Sequence, residues 1–352
     1  MLSAGRGLAL NSLATSRHLP GTRLSKSFRD QALGFIDVGS LGGVHPITEP
    51  AASMVQALCF EPDEESFRAL QQQYASPAPY ASVEVLREAL GGAAASSRNL
   101  HVTRVPTNTS LLEPNPRFIE RYGAERFQVD RVIKTATRPL DDIVFCESVS
   151  DLPFGEVIKL DTQGSEHEIL LGAPRTLRDR CVAVLCEVEF FQVYLGQKTL
   201  SDVDVLLRNS GFSLYGIYPH YRSTKSLDPA RHHTQERLMW ADAVFFKDPF
   251  DDLNADRSFS PRAIDCLILA AWLTGFYDFA IELTRKCVTE TEGRDSLIEV
   301  AREAAEAGAQ ALSREFSSWA AEIQRTPSYL QVRKFVDRNI SNSNTDFFAG
   351  RS

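Results

Sequence analysis

The segment Phe35-Ile36-Asp37-Val38-Gly39-Ser40-Leu41-Gly42-Gly43 runs an apolar stretch into a glycine-rich turn, the kind of turn that lets backbone come close to a ligand. Twenty-two residues after Gly39, a second apolar stretch ends in Cys59-Phe60-Glu61-Pro62-Asp63. A carboxylate at that strand tip is where a ribose diol would sit, so turn and carboxylate together point to a bound nucleoside. The dinucleotide fingerprint GxGxxG fails, because its three glycine places hold Gly39, Leu41 and Val44. Asp37 points away from a dinucleotide as well: an acid there suits a cationic amino group, as in the methionine part of S-adenosylmethionine, and would repel a pyrophosphate. On this reading Asp37, Gly39, Ser40, Gly43, Glu61, Pro62 and Asp161 hold the cofactor, with backbone near Leu90 taking the adenine. The bland alternative is that Asp37 caps the turn and Glu61 starts the next helix.

Methyl transfer from a sulfonium needs mainly positioning, but an acceptor hydroxyl must still lose its proton. That calls for a general base within about 3 Å, or a metal that lowers the hydroxyl pKa. Asp161, expected at the carboxyl end of a central strand, is the first choice as base, substrate orienter or metal ligand. Glu166 lies one turn into the following helix, and Glu187 and Glu189 occupy the next strand tip. Carboxylates on neighbouring strand ends suit sugar hydroxyls or a divalent cation; the bland reading has Glu166 capping its helix and Glu189 facing solvent. The histidines form a second set of bases: His220 in a late loop first, then His167 and the pair His232-His233. Phe190, Phe191, Tyr194 and Tyr218 suit either a sugar face or core packing. Asn108-Thr109-Ser110-Leu111-Leu112 offers hydroxyl-binding groups.

Elements able to position these residues are legible. Leu33–Val38, Val55–Phe60, Val83–Leu86, Val157–Leu160, Ala183–Val188 and Ala243–Phe246 read as strands, and Glu64–Tyr74, Glu166–Arg178 and Leu200–Ser210 as helices. Strands alternating with helices predict a mainly parallel sheet covered on both faces. Residues 91–143, with Pro106, Pro114, Pro116 and Pro139, read as a β-rich or looped insertion. Pro46 and Pro50 predict a compact loop with little regular helix after the glycine turn. Beyond residue 250 the pattern turns helical. Ser260-Pro261 signals a helix start, a hairpin folds at Thr274-Gly275, and a longer helix from about Ser296 aligns Leu312, Phe316, Trp319 and Ile323 on one face suited to docking or to forming a homodimer.

Taken together, Asp37-Val38-Gly39 with Gly43, Phe60-Glu61-Pro62, and Ile158-Lys159-Leu160-Asp161-Thr162-Gln163-Gly164-Ser165-Glu166 resemble the signatures of the FkbM-type S-adenosylmethionine-dependent methyltransferases. So do Leu140-Asp141-Asp142, Gly172-Ala173 and Glu187-Val188-Glu189-Phe190. The resemblance spans roughly residues 33–246. It implies an α/β, class I methyltransferase (Rossmann-like) domain over 32–250, S-adenosylmethionine as cofactor, and methyl transfer to a hydroxyl, commonly on a sugar or a polyketide. The chain departs from the family pattern at Leu41, where many members carry Asn.

Charge and composition bound the alternatives. The 352 residues carry 38 basic and 46 acidic side chains, a net charge of −8, which argues against nonspecific nucleic-acid or anionic-lipid binding. No apolar run approaches the ~20 residues of a membrane span. Six cysteines without a CxxC pair fit a reducing compartment and inert thiols, hence a cytoplasmic protein with no zinc site. Residues 1–31 are basic and read as a poorly ordered lead-in, with an organelle transit peptide as the alternative. The sequence therefore predicts an O-methyltransferase acting on a saccharide or a saccharide-containing precursor. A cofactor-free interaction protein working through its helical tail is the rival, and a nicotinamide-dependent sugar oxidoreductase is disfavoured by the failed glycine spacing.

Overall fold

The computed structural model describes residues 11–75, 79–146, 154–224, 226–227 and 235–325. Two 3-10 turns, Asn11–Thr15 and Leu19–Gly21, lead into helix α1 (Arg23–Asp30) and strand β1 (Leu33–Val38). A kinked 3-10 segment, Pro46–Met54, then enters β2 (Val55–Phe60), followed by α2 (Glu64–Gln73) and β3 (Ser82–Leu86). The kink falls at Ala51, beside Pro50, as the prolines require.

The insertion folds as a second, three-stranded sheet. It comprises β4 (Ala89–Leu90), β5 (Ala95–Thr103), α3 (Pro116–Tyr122) and β6 (Val129–Arg138), with strand order β4-β6-β5. After α4 (Leu140–Val144) the chain returns to the main sheet through β7 (Val157–Leu160), α5 (Glu166–Leu171), α6 (Pro174–Asp179), β8 (Ala183–Glu189), α7 (Leu200–Asn209), β9 (Ser213–Arg222) and β10 (Arg237–Phe246). Helices α8 (Pro261–Thr274), α9 (Tyr277–Cys287) and α10 (Thr291–Arg325) complete the order.

The main sheet has seven strands in the order β3-β2-β1-β7-β8-β10-β9. β3, β2, β1, β7 and β8 pair in parallel; β10 is antiparallel to both its neighbours, β8 and β9, so it alone runs against the other six. This is the mainly parallel, Rossmann-like class I sheet expected from the sequence. Alternate residues feed opposite layers. Leu33, Phe35, Ala57, Cys59, Val157 and Phe246 belong to one core, and Ile36, Val38, Leu58, Ile158, Leu160 and Phe245 to the other.

Three expectations are corrected. The helix expected over Glu166–Arg178 is two helices, because Gly172, where a Cβ would meet Gly91 O at 2.4 Å, and Pro174 break it. A strand absent from the prediction, β9, forms the sheet edge; its residues are only half-buried, so no apolar run marks it. The basic N-terminal stretch is packed rather than loose over residues 11–31. Leu13, Leu24 and Phe28 are fully buried against the sheet and the C-terminal helices, and Arg23 pairs with Asp265 on α8 through two hydrogen bonds of 3.0 and 2.6 Å. Residues 1–10 lie outside the described residues.

The C-terminal helices share the larger core with the sheet. Helix α8 is buried from Ile264 to Thr274, and the expected hairpin turns at Gly275, whose φ of 83° closes the helix in the left-handed region. Helix α10 starts at Thr291, a turn earlier than expected; Leu312 and Phe316 on it are exposed, and the side chains of Trp319 and Ile323 lie outside the described residues. Among the described residues no helix is long and apolar enough to cross a membrane. Among the described residues no cysteine is joined in a disulfide.

Candidate active site at the carboxyl edge

Open α/β sheets bind ligands beyond the carboxyl ends of their parallel strands. At that edge β1 runs into the glycine turn, and Gly39 there has a φ of 84°. A Cβ on Gly39 would lie 2.0 Å from the carbonyl oxygen of Asp161, so only glycine lets the turn close against the end of β7. Gly43 (φ 124°) abuts Tyr74 and Gln73 of the α2 end, and its amide neighbour Val44 donates to the Tyr74 hydroxyl at 2.8 Å. Ser40 is buried, with Oγ donating to Asp37 O at 2.7 Å. Gly43 and Ser40 thus shape the turn rather than presenting side-chain groups to a ligand.

Asp37 requires a correction. It is completely buried; Lys159 Nζ lies 3.1 Å from its Oδ1, and the His45 N–H donates to its Oδ2 at 2.7 Å. Lys159 also donates to Gly39 O at 3.3 Å. Its ammonium is desolvated, yet the neighbouring Asp37 and Asp161 carboxylates outweigh this and hold it above its ordinary value. A ligand ammonium therefore finds the Asp37 charge already answered. The pair instead pins the glycine turn to β7.

Glu61 stands at the tip of β2, directly after Phe60. It is 7% exposed, its Oε1 accepts the Asp63 N–H at 2.9 Å, and its backbone N–H donates to Leu86 O. Burial pushes its carboxyl up to about 7. Asp63 caps α2 by accepting the Ser66 N–H at 3.0 Å, and Pro62 joins the two acids. Leu90, whose backbone is the expected adenine contact, pairs with Arg138 in the small sheet, and its side chain is buried in the core.

Asp161 follows β7 directly and remains partly open. Gln163, two residues on, donates through one amide nitrogen to Asp161 Oδ1 at 2.7 Å and to Glu187 Oε2 at 2.8 Å. A trigonal nitrogen holding both sets those oxygens roughly 5 Å apart, where two full charges repel by about 3 kcal/mol at an effective dielectric of 20. Glu187 is accordingly held well above the carboxylate range, by burial first and by Asp161 next. Glu189 is buried rather than solvent-facing and is raised for the same leading reason.

Glu166 is not available for catalysis. Its Oε1 accepts from Thr162 N–H at 2.7 Å and from Thr162 Oγ1 at 3.1 Å, and its Oε2 accepts from Gly164 N–H at 2.9 Å. Those bonds close the turn after β7. Burial raises this carboxyl to about 7 against their opposing pull.

His220 lies on strand β9, not in a loop. Its Nε2 is 3.4 Å from Asp242 Oδ2, and its ring stacks on Trp240 at 5.6 Å. Three strand spacings separate β9 from β7, roughly 14 Å, so His220 and Asp161 do not serve one hydroxyl. The register sets Glu187 opposite Asp242 and His220 opposite Trp240. The edge thus carries a row running from Asp161 through Glu187 and Asp242 to His220. His167 lies on α5, where Asp202 and Lys198 are its charged neighbours. His232 and His233 lie outside the described residues.

Two residues that the sequence gives no role stand in the site. His45 faces Lys159, Asp37, Asp161 and Asp242, and burial lowers its pKa. Its Nδ1 accepts the Ile47 N–H at 3.3 Å, which leaves Nε2–H as a donor and disqualifies the neutral ring as a base. Gln163 is the other; an isolated amide carries no periodic signal. The aromatics Phe191 and Tyr194 pack with Phe118, Tyr122 and Phe127 and fasten the insertion to the sheet. Among the described residues no group of three or more His, Cys, Asp or Glu side chains is placed to hold a metal ion.

The family model for the methyltransferase FkbM domain matches residues 53–214. No curated protein matches the chain. Among solved structures, methyltransferase FkbM from Methylobacillus flagellatus KT is similar at 18% identity over 61% of this chain and 43% of that one, with a TM-score of 0.34. Magnesium protoporphyrin IX methyltransferase from Synechocystis PCC 6803, solved with bound S-adenosylmethionine, is similar at 9% identity over 69% of this chain and 80% of that one, with a TM-score of 0.32. The chain spans less than half the length of the M. flagellatus protein.

Proposed function

We propose, from the premise that residues 53–214 form an FkbM methyltransferase domain, that the chain is an S-adenosylmethionine-dependent O-methyltransferase whose acceptor is a saccharide or another polyol. The observation that carries this reading is the layout of the carboxyl edge. Glu61 offers a half-engaged carboxylate on β2, and two strands away, roughly 10 Å, Asp161 and Glu187 begin a row of acids.

The cofactor, when bound, supplies an electrophilic methyl group on a sulfonium leaving group. Gly39 keeps the backbone cradle free of a Cβ, and Glu61 accepts the ribose hydroxyls. Asp161 orients the acceptor hydroxyl and takes its proton, with Glu187 beside it hydrogen-bonding a neighbouring hydroxyl. Positioning supplies most of the acceleration, since effective molarities of about 10⁵ M or more come from alignment alone. Asp242 and His220, farther along the edge, are placed for a distal part of an extended acceptor.

The test is transfer from methyl-labelled S-adenosylmethionine to a panel of saccharides and polyols. The reading predicts an alkali-stable ether methyl, lost in Asp161→Ala while S-adenosylhomocysteine still binds that variant. A label found on nitrogen or in an alkali-labile ester overturns O-methylation, and a folded wild-type sample that ignores millimolar S-adenosylhomocysteine overturns the whole reading.

A further inference from the structure

Among the described residues Gln163 is the one non-glycine position with positive φ, at 59°. Glycine, asparagine and aspartate are the usual occupants of such a backbone, so a long side chain here needs a reason. Its contacts supply one. The side-chain nitrogen donates to Asp161 Oδ1 (2.7 Å) and to Glu187 Oε2 (2.8 Å), while Oε1 accepts from the Tyr194 hydroxyl (3.1 Å). The carbonyl oxygen accepts from Ser110 Oγ at 2.7 Å, and the single Tyr194 hydroxyl hydrogen is shared with Asn108 O, 2.9 Å away. One residue is thereby tied to the end of β7, to β8, to the loop after β8 and to the Asn108–Ser110 stretch of the insertion.

The remaining oxygens, Asp161 Oδ2 and Glu187 Oε1, make no hydrogen bond among the described residues. We propose that Gln163 is the positioning residue of the acceptor site: its amide yokes Asp161 and Glu187 so that their two open oxygens receive adjacent hydroxyls of one polyol. An amide suits this work because it donates one hydrogen to each carboxylate without adding charge. A lysine would neutralise the pair, and asparagine is one methylene too short to span it. Glu187 is faced by Asp161, Glu189, Glu166 and Asp242, and Lys159 is the cation within reach, already paired with Asp37. With so many acids around it, the orientation of Glu187 depends on a neutral donor. The acceptor's identity rests on the methyl-transfer reading; the geometry of the yoke does not.

The experiment follows the Glu187 carboxyl by carbon-13 NMR titration of the full chain, with Glu187→Gln assigning the signal. The variants are Gln163→Gly and Gln163→Asn, both of which accept the left-handed backbone, so the turn survives and the chain folds. Loss of the amide donor is expected to raise the Glu187 midpoint by about one pH unit, a tenfold gain in proton affinity, in both variants. A midpoint unmoved in folded Gln163→Gly means Gln163 merely shapes the turn, and overturns the proposal. S-adenosylhomocysteine binding, measured on the same wild-type sample, decides the methyl-transfer reading separately.

Discussion

If Glu61 holds the ribose as proposed, the affinity for the cofactor product depends on pH in a way that its buried position dictates. Burial lifts its carboxyl from the ordinary 4.5 to about 7, while the ribose contact needs an ionised acceptor. Between pH 4.5 and 7 the folded chain holds more protons than the unfolded one, so Glu61 lowers stability as pH rises through that window, by about 3 kcal/mol once fully ionised. Ligand binding works in the opposite sense, since donated hydroxyls favour the carboxylate. Glu61 is about 3% ionised at pH 5.5 and about 75% at pH 7.5, so S-adenosylhomocysteine should bind roughly 25-fold tighter at the higher pH. Above pH 7.5 the affinity should level off. Isothermal titration across that range reads it directly. Glu166 also titrates near 7 but is enclosed in the turn after β7, so Glu61→Gln isolates the effect. That variant should bind weakly with a nearly flat profile. A flat wild-type profile, or an unchanged slope in Glu61→Gln, refutes the assignment of the ribose to Glu61.

Three further outcomes follow from the packing. Gly39→Ala sets a methyl group 2.0 Å from Asp161 O at a φ of 84°; left-handed strain of about 1–2 kcal/mol adds to the overlap, so urea unfolding should show a loss of about 3 kcal/mol or more and titration a loss of S-adenosylhomocysteine affinity. Lys159→Met leaves Asp37 buried without its counter-charge and should cost about 3–5 kcal/mol in the same assay, whereas an unchanged midpoint would show that the pair is dispensable. Ending the chain after Arg257 uncovers the sheet face that Leu267, Ile268, Leu269, Trp272 and Leu273 cover, roughly 10 kcal/mol of burial; the truncated chain should bind a hydrophobic dye and lose cooperative melting.

Much of the scaffold is legible because buried parallel strands announce themselves. β1, β2 and β7 occur at the residues their apolar runs predict, and the Pro46–Pro50 stretch is as irregular as its prolines require. Legibility fails where tertiary contact outweighs local pattern. The N-terminal basic residues suggest a loose tail, yet Leu24 and Phe28, one helical turn apart on α1, find a core supplied by helices more than 230 residues later. β9 is an edge strand of mixed composition. In the site, the places of the glycine turn and of Glu61 at their strand ends can be read from residue type and spacing. The engagement of Asp37 by Lys159 cannot, since it depends on which faces of β1 and β7 coincide. The left-handed backbone of Gln163 has no sequence signal either, and the row from Asp161 to His220 exists only through the register of β8, β10 and β9.

A crystal structure of the full chain with S-adenosylhomocysteine tests the central claim most directly. The account predicts the ribose hydroxyls on the Glu61 carboxylate, the homocysteine against the Gly39 turn, and the sulfur toward Asp161 and Glu187. A cofactor product ordered elsewhere, or one whose ribose leaves Glu61 untouched, would contradict it.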